Sequence, residues 1–449
     1  MKPRHRVGLA LAGVACGPLT LAGCTGDDGA GKAGAAPPSP AAVAIAPAAN
    51  AANVPISAEV VPTVSNGKVT EVVVTDDKGT RLDGAMRPDG SSWLPNRPLD
   101  YKRAYTAQVT AVNDAGQQTT QTARFTTMSK PDNFTQTVMY VKSGQTYGVN
   151  MPVTVAFDPG VPKEHRAAVQ KRLFVTTDPP QPGTWSWLDD GTQVYYRAPD
   201  PWKPGTKLTV RAATAGLPMG KGGFGDTEHT ATASVAPHAV RLDIDNKTKQ
   251  IFVFRDDQLI RKIPVSLGKP STPSSSGDMV IMEKHERTTF DTRGEPNGGY
   301  VVDVDDAQRY TWGGEFLHAA PWSEGDQGYT NVSHGCANVS NSAANWLMRT
   351  THVGDLVRVR GTEVQLDEGN GWTAWNESWE EFAKGSALPV PADLKPQAMS
   401  PPPVGGAPTG SASPGATGSP GPADSANPGE SPGAGESPAP PEPSAAPGG

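Results

Sequence analysis

Cys336 lies in the run Ser333-His334-Gly335-Cys336 and is the residue best placed by sequence to do covalent chemistry. The chain has three cysteines. Cys16 falls inside an N-terminal export signal and Cys24 closes that signal, so Cys336 is left as a lone thiol in an oxidising compartment. Such a thiol is a liability unless its reactivity is used. A free thiol titrates near about 8.5 and is only slightly ionised at neutral pH, so an efficient nucleophile needs a base. The base in turn needs a group that holds it in one tautomer. His318 and His334 are the bases within sequence reach. On a strand His334 would share a face with the thiol, but Gly335 between them indicates a tight turn. His318 ends the apolar run Phe316-Leu317-His318, where a loop can return it to Cys336. Gly335 lets consecutive backbone N–H groups converge on one point, as an oxyanion hole requires. His318, His334 and Cys336 are also zinc-binding types, but no second cysteine or carboxylate stands at ligand spacing, so no metal is expected.

The N-terminus says where this chemistry takes place. Lys2, Arg4 and Arg6 precede a small, apolar stretch that ends in Leu21-Ala22-Gly23-Cys24. Residues 1–23 have the pattern of a signal peptide, and the last four residues of the stretch resemble a bacterial lipobox. That resemblance makes Cys24 the lipidated first residue of the mature protein, anchored to the outer leaflet of the cell membrane and facing the wall. The formal net charge is −7, and losing Lys2, Arg4 and Arg6 gives −7 − 3 = −10. With no basic stripe and no nucleic-acid-binding motif, no nucleic-acid partner is expected.

Six further regions follow. Residues 24–52 are rich in Ala, Gly and Pro and are expected to be a flexible linker. Residues 53–128 carry short alternating segments such as Tyr105-Thr106-Ala107-Gln108-Val109, punctuated by Asn66-Gly67 and Asp89-Gly90, which predicts a β-sandwich. Residues 129–237 repeat the pattern, with a hairpin about Asp189-Asp190-Gly191, a helix from Lys163 to Leu173, and tryptophans expected in the core. Residues 238–361 open with a hairpin about Asn246–Lys249 and include a helix at Ser342–Met348. In residues 362–387, Trp375, Trp379 and Phe382 have helical spacing and are expected to pack back on the domain before them. Residues 388–449 are a Pro, Gly, Ser and Ala tail with too little apolar surface to offset chain entropy.

The run from His318 through Ser333-His334-Gly335-Cys336-Ala337-Asn338 resembles the signature of the bacterial L,D-transpeptidases, over about residues 240–385. The two preceding modules and the Trp-rich extension resemble the mycobacterial-type members. The resemblance implies a mainly β chain: two immunoglobulin-like β-sandwiches, then a catalytic β-sandwich with a short helix. It makes Cys336 the nucleophile and His318 the base, oriented by the carbonyl of Ala319. Backbone N–H groups of His334, Gly335 and Cys336 become the oxyanion donors. Asn338, Tyr300, Met282, Trp322 and Ser333 become the substrate-binding set, with Tyr300 and Met282 on a flap. The segment between Met282 and Tyr300 is longer than the family pattern, which bears on flap geometry. The implied reaction is acyl transfer between peptidoglycan stem peptides through a Cys thioester, with loss of a terminal D-Ala and no cofactor. The amine of a second stem completes a 3→3 cross-link, and carbapenems are expected to acylate Cys336. Two other readings use the same residues: a carboxypeptidase in which water takes the acyl group, and a wall-binding lipoprotein whose catalytic domain is vestigial.

Overall fold

The computed structural model describes residues 38–293, 299 and 301–397. The signal peptide, Cys24, Tyr300 and the chain beyond 397 lie outside them. None of the described helices is long and apolar enough to cross a membrane.

The first sandwich is built on a three-stranded sheet of Lys68–Asp76, Ala104–Val112 and Gln118–Thr126. Alternation along these strands turns Val72, Val74, Tyr105, Ala107, Val109 and Phe125 inward. Strand Ala42–Ala46 pairs with Val61–Ser65, so part of the stretch expected to be flexible linker is instead sheet. Its Val43 and Ile45, two apart, pack against this core, and that small alternation is enough to order an otherwise Ala-rich segment.

The second sandwich pairs a six-stranded with a four-stranded sheet. Thr184–Trp187 and Gln193–Arg197 form the expected hairpin, and the helix spans Lys163–Gln170. Trp185, Trp187 and Trp202 are buried, so these aromatics are core. The two sandwiches are tied by Glu59, which accepts from Arg87 and pairs with Arg172 at 3.0 Å.

The catalytic module is a sandwich of its own. One sheet runs Gln258–Pro264, Gln250–Arg255, Val240–Asp245, Leu356–Arg360, Ser275–Val280 and Val364–Gln365. The other runs Glu283–Asp291, Val301–Arg309, Phe316–Ala319 and Ala337–Val339. Between them lie Leu242, Ile244, Ile251, Val253, Leu317 and Val339. Helix Asn341–Thr350 begins at Ser340, whose hydroxyl caps the Ala343 N–H at 3.3 Å. It buries Ala343, Ala344 and Leu347 against the same core.

The C-terminal extension corrects one expectation. Trp375, Trp379 and Phe382 converge on Arg197 of the second sandwich, with its guanidinium 4.5, 5.3 and 4.4 Å from the three ring centres. Arg197 is 2 % exposed and donates to the carbonyls of Ala374, Glu377 and Pro199. Asn376 and Leu366 meet the catalytic sheet through Asp278 and Ser276. The extension is therefore a strap over two domains and not a flap on one. It also outlasts its expected end at 387: Leu394 accepts from Trp379 Nε1 and Gln397 N–H donates to Asp200. The physical reason is that a tryptophan-bearing helix face specifies burial but not which neighbour supplies it.

Candidate active site

The nucleophile and its base arrive on adjacent strands. Phe316–Ala319 pairs in parallel with Ala337–Val339, with His318 opposite Asn338. Cys336 immediately precedes that second strand, one pleat from Asn338. The turn before it is stapled from outside: Gly268 bridges Ser333, and Ser266 and Asn338 exchange backbone hydrogen bonds. Ser274 Oγ donates to the Gly335 carbonyl at 2.6 Å. Gly335 has φ +123°, a conformation that L side chains rarely adopt. A Cβ there would meet nothing closer than Glu315 Cγ at 3.7 Å, so the backbone and not the space demands glycine.

His318 is 4 % exposed, and its Nδ1 lies 2.8 Å from the Ala319 carbonyl. A carbonyl can only accept, so Nδ1 carries the hydrogen and Nε2 keeps its lone pair. Burial pushes the imidazole below its ordinary pKa, against the pull of the Ala319 carbonyl and the Asn338 amide. The product is a neutral ring of fixed tautomer, which is what a general base requires. Cys336 Sγ lies 3.7 Å from the Gly314 carbonyl.

Behind the nucleophile is a buried polar corner. Glu315 Oε1 accepts from both the N–H and the hydroxyl of Ser275, at 3.0 and 2.7 Å. Burial pushes its carboxyl up, and these two bonds pull the other way. Tyr310 is fully buried and its hydroxyl is raised well above the usual range, first by burial and then by Glu315 and Cys336. Among the described residues, neither Tyr310 Oη nor Glu315 Oε2 has a hydrogen-bond partner.

Several expected site residues stand elsewhere than foreseen. Trp322 is 59 % exposed at the rim, its ring 6.0 Å from that of His318. Asn338 is buried, donates to Ser323 Oγ at 3.2 Å, and has its other amide atom buried beside His318. It is thus placed beside the histidine. Ser333 turns inward: its hydroxyl donates to the Cys336 carbonyl at 2.6 Å and accepts the Gly335 N–H at 3.2 Å. The Gly335 N–H is therefore committed to the turn and is not an oxyanion donor. Met282 lies at the base of the Glu283–Asp291 hairpin, buried in the cluster shared with the second sandwich, and not on a flap over the thiol. Tyr300 lies outside the described residues.

Two residues near the site were missed by sequence reading. Phe290, at the far end of that hairpin, packs edge-on against His318 at 5.2 Å and against Phe316 at 4.6 Å. Lys269 places its Nζ 3.0 Å from His334 Nε2. The apolar alternation ending the hairpin strand hints at Phe290, whereas nothing local marks Lys269.

Comparison with known proteins identifies the modules that carry the site. Residues 51–218 match a bacterial Ig domain, and residues 239–359 match an L,D-transpeptidase catalytic domain. L,D-transpeptidase 2 of Mycobacterium tuberculosis is 34% identical over 343 residues, which cover 75% of this chain and 83% of that one. L,D-transpeptidase 5 of the same organism is 33% identical over 371 residues, covering 81% of this chain and 80% of the relative. L,D-transpeptidase 1 is 33% identical over 226 residues, covering 49% and 82%.

Proposed function

The chain belongs to the L,D-transpeptidase family, and from that premise we propose that Cys336 carries the acyl group between two peptidoglycan stem peptides. The thiol passes its proton to His318 Nε2 and the sulfur attacks the carbonyl of the third stem residue. The bond to the terminal D-Ala breaks, and its amine takes the proton from His318. The side-chain amine of a second stem then attacks the thioester, loses a proton to His318, and restores the thiol. Backbone N–H groups of His334 and Cys336 hold the oxyanion, without that of Gly335. Trp322 lines the rim. One observation carries the reading: the Ala319 carbonyl fixes His318 as a neutral base beside the strand that follows Cys336.

The N-terminal pattern supports a location for this reaction. Cys24 carries the lipid anchor on the extracytoplasmic face, and the two sandwiches hold the catalytic domain at cross-linking depth. Metabolic labelling with a clickable fatty acid should mark the wild type and leave Cys24→Ala unmarked. Labelling of both would defeat the anchor.

The activity itself is tested with the purified ectodomain and a disaccharide-tetrapeptide. A dimer lighter by one D-Ala, lost in Cys336→Ala, is the expected product by mass spectrometry. Tripeptide alone would replace the transpeptidase by a carboxypeptidase, and no turnover would overturn both.

A further inference from the structure

Lys269 is the feature of the site that the mechanism above leaves unused. Its backbone is fixed: the N–H donates to the Ser333 carbonyl at 2.9 Å, and its own carbonyl accepts from Thr272. Its ammonium group lies 3.0 Å from His334 Nε2. An ammonium only donates, so Nε2 accepts and the His334 ring is neutral, with its hydrogen on Nδ1. Among the described residues no carboxylate forms an ion pair with Lys269. The ammonium is held over the turn that presents Cys336, and its partner His334 stands two residues before the thiol.

We infer that Lys269 is a specificity-determining residue that receives the terminal carboxylate of the donor peptide; this rests on the donor reading above. The chemistry follows from where charge sits on a donor whose last peptide bond is attacked. Its terminal carboxylate lies one residue beyond the scissile carbonyl and leaves with the amine. A cation held beside the turn that carries Cys336 can read the free end of the peptide. A donor longer by one residue moves the carboxylate outward by about 3.5 Å, beyond a direct contact with a fixed ammonium. An amide at the same position loses the charge and gains donors that face an ammonium. Lys269 would thereby make the enzyme select short stems with a free end, while His334 holds the ammonium in place.

The test measures Cys336 thioester formation by intact-protein mass spectrometry. The donors are a disaccharide-tetrapeptide, its C-terminal amide and the corresponding pentapeptide. The proteins are the wild-type ectodomain, Lys269→Met and Lys269→Arg, with neutral iodoacetamide reporting the thiol. The wild type should favour the free acid over the amide by about tenfold or more, the size of a lost charge-assisted contact. Lys269→Met should lower kcat/KM for the acid by that factor, mainly through KM, and leave the amide and iodoacetamide rates unchanged. Lys269→Arg should restore most of the preference, and added salt should shrink it. Equal losses on acid and amide, or a wild type that does not discriminate, would overturn the inference alone. If iodoacetamide reacts but no donor forms a thioester with any protein, the donor reading fails and takes the inference with it.

Discussion

Arg197 and the corner around Cys336 both bury polar groups, and they treat them in opposite ways. Burial pulls the Arg197 guanidinium down to about 10, opposed by Glu377, Asp200 and Glu380. Every one of its nitrogens reaches a carbonyl, and three aromatic rings surround it. Around Cys336, by contrast, Tyr310 Oη and Glu315 Oε2 are buried with no hydrogen-bond partner among the described residues. Such groups cost free energy in a region built for stability. They are tolerable where charge must move during a reaction. One region fixes three segments of chain in a single arrangement; the other keeps its groups able to change state.

Substitutions can break that contrast at either end. The largest effect is expected at the base. His318→Gln keeps the bond to the Ala319 carbonyl within reach but cannot take a proton, so thioester formation should fall by about 10²–10⁴-fold. Thermal unfolding should move far less. Arg197→Met should do the reverse. It leaves the Ala374 and Glu377 carbonyls unpartnered and should cost about 3 kcal/mol of stability, read by urea unfolding. The alkylation rate of Cys336 should remain near that of the wild type.

A third substitution sharpens the contrast through pH. Asp355 is fully buried where Gly148 of the second sandwich covers it, and a Cβ on Gly148 would collide with its carboxylate. Burial pushes this carboxyl up to about 7, against the His352 N–H and the Lys284 charge. The ordinary value is about 3.9, so folding takes up a proton between these limits. That contribution is whole below about pH 4, declines as pH rises toward 7, and is level above. Asp355→Asn should flatten this part of the stability profile and leave the protein more stable than wild type at pH 8. The smallest effect belongs to Phe290. Replacing it by Leu removes an edge-on ring contact worth about 1 kcal/mol, so kcat/KM should fall about fivefold with little change in stability.

The same contrast explains what could be read from the chain before its fold was known. Cys336, His318 and Ala319 lie within one short stretch whose residue types state the chemistry. Alternation located the hairpin about Asn246–Lys249 and the helix beginning near Ser342, since both depend on local periodicity. Lys269 was not legible because it is 65 residues from His334 and is delivered by the bridge between Gly268 and Ser333. Phe290 depends in the same way on which strand folds over the base. The partner of Trp375, Trp379 and Phe382 was misread because their spacing states a face and Arg197 lies 178 residues before the first of them. For Asn338 and Ser333 the motif gives neighbours but not which way each side chain turns, toward Ser323 and toward the Cys336 carbonyl.

The pH dependence of Cys336 alkylation by iodoacetamide tests the central claim most directly, measured on the wild type and on His318→Gln. If His318 is the buried, neutral base for this thiol, the wild-type rate should hold below the ordinary histidine range of about 6.5, following its lowered pKa. The His318→Gln rate should lose that limb and rise only toward the free-thiol value of about 8.5. Superimposable profiles would contradict the assignment of His318 as the base.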